Sequence, residues 1–394
     1  MSILFGADRL SIERRLPGNV RRAGLVTNDA ARLAGNPKVY SRSALLAAGL
    51  PIVRLFSPEH GLGANVADGA AVSDGMDALT GLPVVSLYGE QMAPPPAALA
   101  DLDAVLFDVP DVGARFYTYT WTLTHVIDAC AVVGLPLFIL DRPNPLGGLL
   151  EQAEGPLMEA RHFSFIGRHT LPVRHSLTLG EIGLLWRAER CPSADVRVIE
   201  CAGWQRSALN YNDALAFVSP SPALNSFVAC LFYPGLCFFE ATNLSVGRGD
   251  ALSFTAVGAS WLNAPATADR FAARDLPGVS VAVTSLEPRV GPHAGSVIPA
   301  LQLLTTAPAS VRPVATGFAL LADIIALHPH DFAWLAYPTA ANPGGEGHFE
   351  RLAGVTGIRE QLMMAPDKID AATLCEWTAV PGWRERWREV QLYD

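Results

Sequence analysis

A carboxylate and an imidazole stand side by side in LFSPEHGLG, residues 55–63. The first two residues are apolar and typical of a buried strand, and Pro58 stiffens the chain just before Glu59 and His60. The glycines that follow allow the backbone to turn sharply. A carboxyl group held against apolar walls has a raised pKa, which general acid catalysis near neutral pH requires. Glu59 is therefore a candidate catalytic acid, with a solvated position in a surface loop as the alternative.

Two further carboxylates, Asp108 and Asp111, follow a second apolar run. Two carboxyls on one loop can divide acid and base roles between them. The alternative for Asp111 is a structural one, since it precedes a predicted helix and aspartate is a favoured helix cap. The segment GARFYTYTW then supplies Arg115, Tyr117 and Tyr119. Tyrosines bind sugars by stacking and hydrogen bonding, whereas the alternative is that one of the two packs in the core.

Two arginines lie in loops rich in proline or glycine. Arg142 belongs to LDRPNPLGG with Asn144, and an arginine can clamp a carboxylate through two parallel hydrogen bonds. The alternative is an internal pair with Asp141 that stiffens the end of the strand. Arg248, in EATNLSVGRGD, has a glycine on either side and is a candidate anion binder or a turn-stabilising residue. The same loop contributes the candidate polar residues Glu240 and Asn243.

Apolar runs alternate with helical spacing over the first 150 residues. Strands are predicted within residues 22–28, 52–61, 82–89, 103–113 and 136–145, and helices over 41–50 and 117–133. Continuous apolar strands separated by helices indicate a parallel sheet that is covered on both faces. The carboxyl ends of parallel strands share one edge, so the polar residues that follow them, Asn28 included, are expected to meet there.

The predicted fold class is α/β, with a Rossmann-like domain over residues 1–154 and a mixed α/β domain over residues 155–394. Neither GxGxxG nor GxxxxGK[ST] occurs in the chain, so we expect no nucleotide and assign no cofactor. In the second domain, residues 171–189 predict a strand, a capping box of Thr178 and Glu181, and a helix. IPALQLLTTA, residues 298–307, predicts another helix.

Composition excludes several classes of protein. The chain has 394 residues, half of them hydrophobic, and a net charge of −9 without basic clusters, so no nucleic-acid partner is expected. It has neither a signal peptide nor an apolar run of about 18 residues, which predicts a cytoplasmic protein without a membrane span. The six cysteines form no CxxC pair, and HExxH and GxSxG are absent, so neither a metal nor a serine nucleophile is assigned. No feature of the sequence determines an oligomeric state.

A series of motifs resembles, in order, the DUF1343 family, which is similar to the exo-β-N-acetylmuramidases of the NamZ type. The motifs are GLVTN, SPEHG, DGMDALTGLPVVSLYG, FDVPDVGARFYTYTWTL, LDRPNPLGG, EGP, SFIGRHTLPVRHSLTLGE, YPGLCFFEATNLSVGRG and FERLAGVTGIRE. The resemblance runs from about residue 20 to the C-terminus. It departs from the family pattern at Pro110, where Gln is usual, at Ala241, where Gly is usual, and at Gly63-Ala64, where an arginine is missing.

The resemblance implies hydrolysis of a terminal N-acetylmuramic acid in a cleft between the two domains. It implies Glu59 as the catalytic acid, assisted by His60 and Asp108. The pocket is expected to contain Asn28, Asp111, Arg115, Tyr117, Tyr119, Arg142, Asn144, Glu240, Asn243 and Arg248. Asp108 and Glu240 are both possible partners for Glu59. The alternatives to this glycosidase are a non-catalytic muropeptide-binding protein and a different hydrolase, an amidase or esterase.

Overall fold

The computed structural model describes residues 3–89, 91–209 and 217–394 of the chain. Its larger sheet has seven strands: β1 (Ala23–Thr27), β2 (Ile52–Ser57), β3 (Gly75–Met76), β4 (Pro83–Ser86), β5 (Ala104–Asp108), β6 (Leu137–Leu140) and β7 (Val196–Ile199). Their order is β3-β4-β2-β1-β5-β6-β7, and every neighbouring pair is parallel except β3 with β4. The predicted parallel α/β sheet is confirmed.

Helices cover both faces of this sheet. They are α1 (Gly6–Glu13), α2 (Ser41–Ala47), α3 (Pro96–Leu99), α4 (Thr118–Val133) and α5 (Leu179–Glu189). Successive strand residues point to opposite faces, so Leu25 and Leu106 pack with α1 and α2, whereas Val26 and Phe107 pack on the side of α4 and α5. Helix α5 begins at the predicted capping box, with Thr178 as its N-cap and the Glu181 side chain accepting from the Thr178 amide.

The second half of the chain is built mainly of helices around a small antiparallel sheet. Its helices are α6 (Phe227–Leu236), α7 (Ala264–Ala272), α8 (Pro313–Leu327), α9 (His348–Ala353), α10 (Ile358–Met364), α11 (Ala371–Trp377) and α12 (Trp383–Glu389). The strands β8 (Ala256–Gly258), β9 (Ser280–Leu286) and β10 (Ile298–Leu304) lie in the order β8-β10-β9. The apolar side of this half continues the core of the α4 and α5 layer.

Two predicted elements differ from the structure. The prediction of a helix over residues 298–307 is wrong, because Ile298–Leu304 forms β10 and pairs with β8 on one side and β9 on the other. A short apolar run cannot be assigned from periodicity alone, and here the sheet partners decide. The strand predicted at the start of residues 171–189 is also absent as a regular strand; Arg174 makes only isolated bridges, to Ala114 and Glu154.

The division of the chain at residue 154 stays a prediction. The seventh strand of the parallel sheet, β7, comes from beyond that point, and the end of the chain returns to the same sheet. Tyr393 donates its hydroxyl proton to Asp141 at 2.5 Å, and Arg206 donates to the Tyr393 carbonyl at 2.8 Å. Within the described ranges, no helix combines the length and the apolar character needed to cross a membrane.

Helices α6 and α8 cross where two glycines face each other. A Cβ atom on Gly317 would overlap the carbonyl group of Gly235. We expect Gly317→Ala to lower the free energy of unfolding by about 1–3 kcal/mol through overpacking, although alanine is intrinsically the better helix former by about 1 kcal/mol. Urea denaturation measures the change, and a variant more stable than the wild type would contradict this crossing.

Candidate active site

A pocket opens beside the carboxyl end of β2 and combines residues from both halves of the chain. Its empty volume is about 320 Å³, including the open mouth. The lining is Glu59, His60, Asp68, Phe116, Tyr117, Thr118, Ser221, Ala223, Leu224, Tyr233, Arg248 and Phe254. Aromatic walls around a few charged groups are typical of a site for a small polar ligand.

Glu59 is the buried carboxyl of this pocket, with only 4% of the residue exposed. One of its oxygens accepts a hydrogen bond from the Gly69 amide at 2.8 Å, and the other accepts from the Thr118 hydroxyl at 2.5 Å. Burial and the neighbouring charge of Asp68 raise the pKa of Glu59, and they outweigh the opposing effects of His60 and of these two hydrogen bonds. A carboxyl of this kind can hold a proton where an exposed glutamate has lost it.

His60 turns toward Glu59 through an unusual backbone conformation. Its φ is 67°, in the left-handed region, and its Nδ1 lies 2.8 Å from the carbonyl oxygen of Val66. Because a carbonyl only accepts, Nδ1 carries the hydrogen and Nε2 is left available to the pocket. Side-chain nitrogen or oxygen atoms of Glu59, His60 and Asp68 all lie within 4.8 Å of one another.

Asp68 is the second carboxyl group of the pocket, and Arg248 holds it in the ionised form. The Arg248 guanidinium lies 3.5 Å from Asp68 and donates to Glu240 at 2.5 Å. The Tyr337 hydroxyl also donates to Asp68, at 2.8 Å. Partial desolvation opposes ionisation of Asp68, whose side chain is still 29% exposed, but Arg248, His60 and Tyr337 hold its pKa below the ordinary value. Neighbouring carboxyls with opposite pKa shifts can divide acid and base roles.

A network beneath the pocket fixes the backbone of Glu59. Asn28 donates to the Tyr119 hydroxyl at 2.9 Å, and the single hydrogen of that hydroxyl has two acceptors, the carbonyl oxygens of Pro220 at 3.0 Å and of Glu59 at 3.3 Å. The ring of Tyr119 packs edge-on against Tyr117 at a centroid distance of 4.7 Å, and Tyr117 lines the pocket. Asn28 and Tyr119 therefore lie close to the site but act on its backbone.

Tyr88 flanks Glu59 from the end of β4. Burial and the adjacent carboxyl of Glu59 raise the pKa of Tyr88, so its phenol stays protonated. Its hydroxyl oxygen is buried and faces the Glu59 carboxyl. The phenol is thus a further polar group beside the Glu59 carboxyl.

Asp108 and Arg142 were expected in the pocket, but the structure pairs them with each other outside its lining. Arg142 donates to Asp108 at 2.7 Å, and both residues are buried. The alternative pair of Arg142 with Asp141 is not formed as a salt bridge among the described residues; Asp141 accepts from Thr178 and Tyr393 instead. Arg142 therefore neutralises a strand end two positions across the sheet from β2.

Arg115 and Asn144 serve the main chain and lie outside the pocket lining. Arg115 is fully buried and donates to the carbonyl oxygens of Pro156, Leu171 and Leu352. Asn144 donates to the Leu177 carbonyl at 2.9 Å and accepts from the Leu146 amide at 2.8 Å. Buried polar groups need such partners, and here backbone groups provide them.

Asp111 and Asn243 are also engaged with their own surroundings. Asp111 accepts from the Gly113 amide at 3.0 Å and faces His175 at 3.4 Å, whereas the N-cap of α4 is Tyr117. Neither a pocket position nor the expected capping position is therefore observed for Asp111. Asn243 braces the loop at residues 331–333 with two hydrogen bonds, of 2.7 and 3.0 Å.

Several pocket residues escaped the sequence analysis. They are Asp68, Thr118, Ser221 and Tyr233 of the lining, together with Tyr337, which donates to Asp68 from outside it. The Asp-Gly pair at residues 68–69 follows SPEHG in the same loop, so a search for a second carboxyl near Glu59 would have found Asp68. Tyr337 carries no comparable signal, because it is far away in the chain.

The carboxyl and imidazole groups also have the spacing of metal ligands. Among the described residues, Glu59, His60 and Asp68 form the cluster that has this spacing. The guanidinium of Arg248 already places a positive charge beside Asp68. The assignment of no metal stays a prediction.

The fold and the pocket together define an α/β protein with a protonatable carboxyl beside an ionised one, as in glycoside hydrolases. Residues 23–228 match the family model of the N-terminal domain of the exo-β-N-acetylmuramidase NamZ, and residues 231–393 match that of its C-terminal domain. The chain belongs to the NamZ family. The family resemblance predicted from the motifs is thereby confirmed.

Known relatives agree with this assignment. The chain is 33% identical over 360 residues to the peptidoglycan β-N-acetylmuramidase NamZ of Bacillus subtilis (strain 168), covering 91% of this chain and 83% of that protein. It is similar to the crystal structure of a DUF1343 family protein from Bacteroides fragilis NCTC 9343, with a TM-score of 0.86 and 26% identity over 100% of this chain and 99% of that one. A second DUF1343 protein of the same organism has a TM-score of 0.73 and 25% identity with the same coverage.

The raised pKa of Glu59 predicts a specific dependence of stability on pH. Above the ordinary pKa of 4.5, an unfolded Glu59 releases a proton that the folded protein retains, so stability falls as pH rises toward the folded pKa. Glutamine does not titrate. We expect Glu59→Gln to gain stability relative to the wild type as pH rises, and the gap to close toward pH 4.5.

Urea unfolding at several pH values measures this gap. Glu151→Gln is the matched control, because Glu151 is exposed and lies outside the pocket lining. A gap for Glu59→Gln that stays constant with pH, or narrows as pH rises, would show that burial does not favour the protonated carboxyl.

Proposed function

We propose that this chain is an exo-acting glycoside hydrolase that releases terminal N-acetylmuramic acid from peptidoglycan-derived fragments. The observation that carries the proposal is the buried Glu59 carboxyl, with its raised pKa, in a pocket that also contains the ionised Asp68. Membership of the NamZ family and the similarity to the B. subtilis enzyme support the substrate class.

Glu59 is proposed as the general acid. Cleavage of a glycosidic bond leaves a poorly stabilised alkoxide unless a proton reaches the leaving oxygen as the bond breaks. Glu59 holds such a proton because burial and Asp68 disfavour its ionised form. The Gly69 amide and the Thr118 hydroxyl stabilise the carboxylate that remains after the proton has left.

Asp68 is proposed as the second carboxyl, in place of the earlier candidates Asp108 and Glu240. Asp68 lines the pocket, whereas Asp108 and Glu240 do not; Asp108 is paired with Arg142, and Glu240 accepts from Arg248 at 2.5 Å. Asp68 lies within 4.8 Å of Glu59, closer than the separation of about 6.5–9.5 Å that leaves room for an attacking water in inverting enzymes. This spacing favours retention, either through a covalent intermediate or with the substrate's acetamido group as nucleophile.

Arg248 is proposed to maintain the charge of Asp68. Its guanidinium lies between Asp68 and Glu240, and these two carboxylates hold the pKa of Arg248 well above its ordinary value despite burial. The substrate's lactyl carboxylate would therefore meet an arginine that is already neutralised. His60 Nε2 is the better-placed polar group for the substrate, and Tyr117, Tyr233 and Phe254 supply aromatic walls.

The cellular setting is predicted from the sequence alone. A cytoplasmic location, and the absence of membrane and nucleic-acid partners, stay predictions. The proposed partner is a small saccharide or muropeptide, in a role that fits the recycling of cell-wall fragments.

Glu59→Gln is expected to lower kcat/KM, which reports the step that expels the leaving group, by about 10²–10⁴-fold on the disaccharide N-acetylmuramyl-N-acetylglucosamine, the usual contribution of a general acid. The loss should be much smaller on a 4-nitrophenyl glycoside, whose leaving group needs no proton. Activity is measured by release of free N-acetylmuramic acid. Glu151→Gln makes the same substitution at an exposed residue and should keep wild-type activity.

Equal losses of Glu59→Gln on both substrates would contradict the acid role. A wild type that binds the disaccharide in calorimetry without turning it over would contradict the hydrolase and favour a muropeptide-binding protein.

The stereochemical course is a separate prediction. Because Asp68 and Glu59 lie so close together, a β-glycoside should first yield the β anomer of N-acetylmuramic acid. Proton NMR of the anomeric signals during the first turnovers, before mutarotation, measures this. An initial α anomer would mean inversion and would rule out the pairing of Glu59 with Asp68.

A further inference from the structure

A closed loop from the second half of the chain, residues 337–345, contacts the loop that carries the catalytic candidates. We call it the clamp loop. The Tyr337 amide donates to the Gly345 carbonyl at 3.0 Å, and Thr339 and Asn342 exchange two backbone hydrogen bonds of 3.1 Å. The loop therefore has a defined shape of its own, with a tight turn over residues 339–342.

The tip of the clamp loop lies on Gly69. The Ala340 amide donates to the Gly69 carbonyl at 2.9 Å. Gly69 has a φ of +67°, and a Cβ atom there would come within 3.0 Å of the Thr339 side chain. On its other side, the Gly69 amide donates to Glu59 at 2.8 Å. One residue thus links the clamp loop to the Glu59 carboxyl.

The base of the clamp loop contacts the second carboxyl group. The Tyr337 hydroxyl donates to Asp68 at 2.8 Å and lies 3.4 Å from Glu240. Its ring stacks on His348 at a centroid distance of 4.6 Å, which anchors it to α9. Residues 337–340 therefore reach both Asp68 and Gly69, which are consecutive in the chain.

We propose that the clamp loop is a positioning element for catalysis: Ala340 holds the Gly69 carbonyl and thereby fixes the backbone of Gly69, so that the amide of the same residue holds the Glu59 carboxyl in the productive direction. This inference rests on the proposed role of Glu59. A displacement of about 1 Å in a reacting group can cost about 10²-fold in rate. The function of Glu59 as an acid thereby depends on the contact between the clamp loop, in the second half of the chain, and Gly69, in the first half.

Ala340→Pro tests the link with little disturbance of the turn. Ala340 is the second residue of the turn 339–342, and neither Ala340 nor Ala341 has a positive φ. Proline is favoured at this position of a type I turn, so the change mainly removes the amide that donates to Gly69. Ala340→Gly is the matched control, because it keeps the amide.

The expected result for Ala340→Pro is a kcat lowered about tenfold or more, with KM changed less than kcat. The Gly69 hydrogen bond stabilises ionised Glu59, so weakening it raises the pKa of Glu59. The basic limb of the pH–rate profile, where the acid loses its proton, should then move to higher pH. Ala340→Gly should leave the limb where it is in the wild type.

Titration of Glu59 by carbon NMR gives a readout that does not depend on any substrate. The groups that face Glu59 are Asp68, His60, Tyr88 and Tyr119, and Arg248 acts through Asp68. Ala340→Pro leaves all of them in place, so a shift of the Glu59 titration to higher pH reports the Gly69 contact. An inactive wild type would refute the hydrolase but leave this titration to decide the positioning role.

Gly69→Ala tests the same contact from the other side. Its Cβ atom would press on Thr339 and separate the two loops, so the Glu59 titration should again move to higher pH. Adding Thr339→Gly removes that pressure and should restore part of the wild-type titration. If Ala340→Pro or Gly69→Ala folds with an unchanged Glu59 titration, or lowers only the melting temperature, the positioning role is wrong.

Discussion

The pocket depends on two carboxyl groups, those of Glu59 and Asp68, that lie within 4.8 Å of each other but have different neighbouring charges and different burial. Two like charges at that distance disfavour simultaneous ionisation, so the surroundings decide which group keeps a proton. Asp68 has the Arg248 guanidinium and the Tyr337 hydroxyl beside it and is ionised. Glu59 is buried beside the negative charge of Asp68, and it therefore retains its proton to a higher pH than an exposed glutamate does. The acid and its ionised partner are thus two consequences of one arrangement.

This arrangement requires both halves of the chain. Glu59 and Asp68 come from the loop after β2, whereas Arg248 and Tyr337 come from the second half. The interface that joins the halves is a continuous apolar core, held at one point by Arg115 and its carbonyl partners. Without that docking, Asp68 would lose its cation and Glu59 would lose part of its burial. The two NamZ family models, one for each domain, together likewise span both halves of this chain.

Several charged residues at the same sheet edge serve stability. Arg142 neutralises Asp108, and Arg206 pairs with Glu181. Burying a charge is costly unless a partner and hydrogen bonds compensate it, and each of these groups has an oppositely charged partner. Polar residue type at a strand end is therefore a weak guide to function in this protein. What distinguishes Glu59 is that its carboxyl faces an open pocket and pairs with no arginine or lysine in the part of the chain that the structure describes.

Local pattern was enough to predict the parallel sheet, the helices α2, α4 and α5, and the family, because continuous apolar runs, capping residues and motifs are written in consecutive residues. It also singled out Glu59, His60, Tyr117 and Arg248, which line the pocket. Pattern failed for Ile298–Leu304, where sheet partners override periodicity, and it did not predict the partners of Arg115 and Asp108, which lie far away in the chain. Only the tertiary structure paired Asp68 with Glu59 and brought Tyr337 to them, because hydrogen bonds and charge effects depend on distance in space and not on separation along the chain.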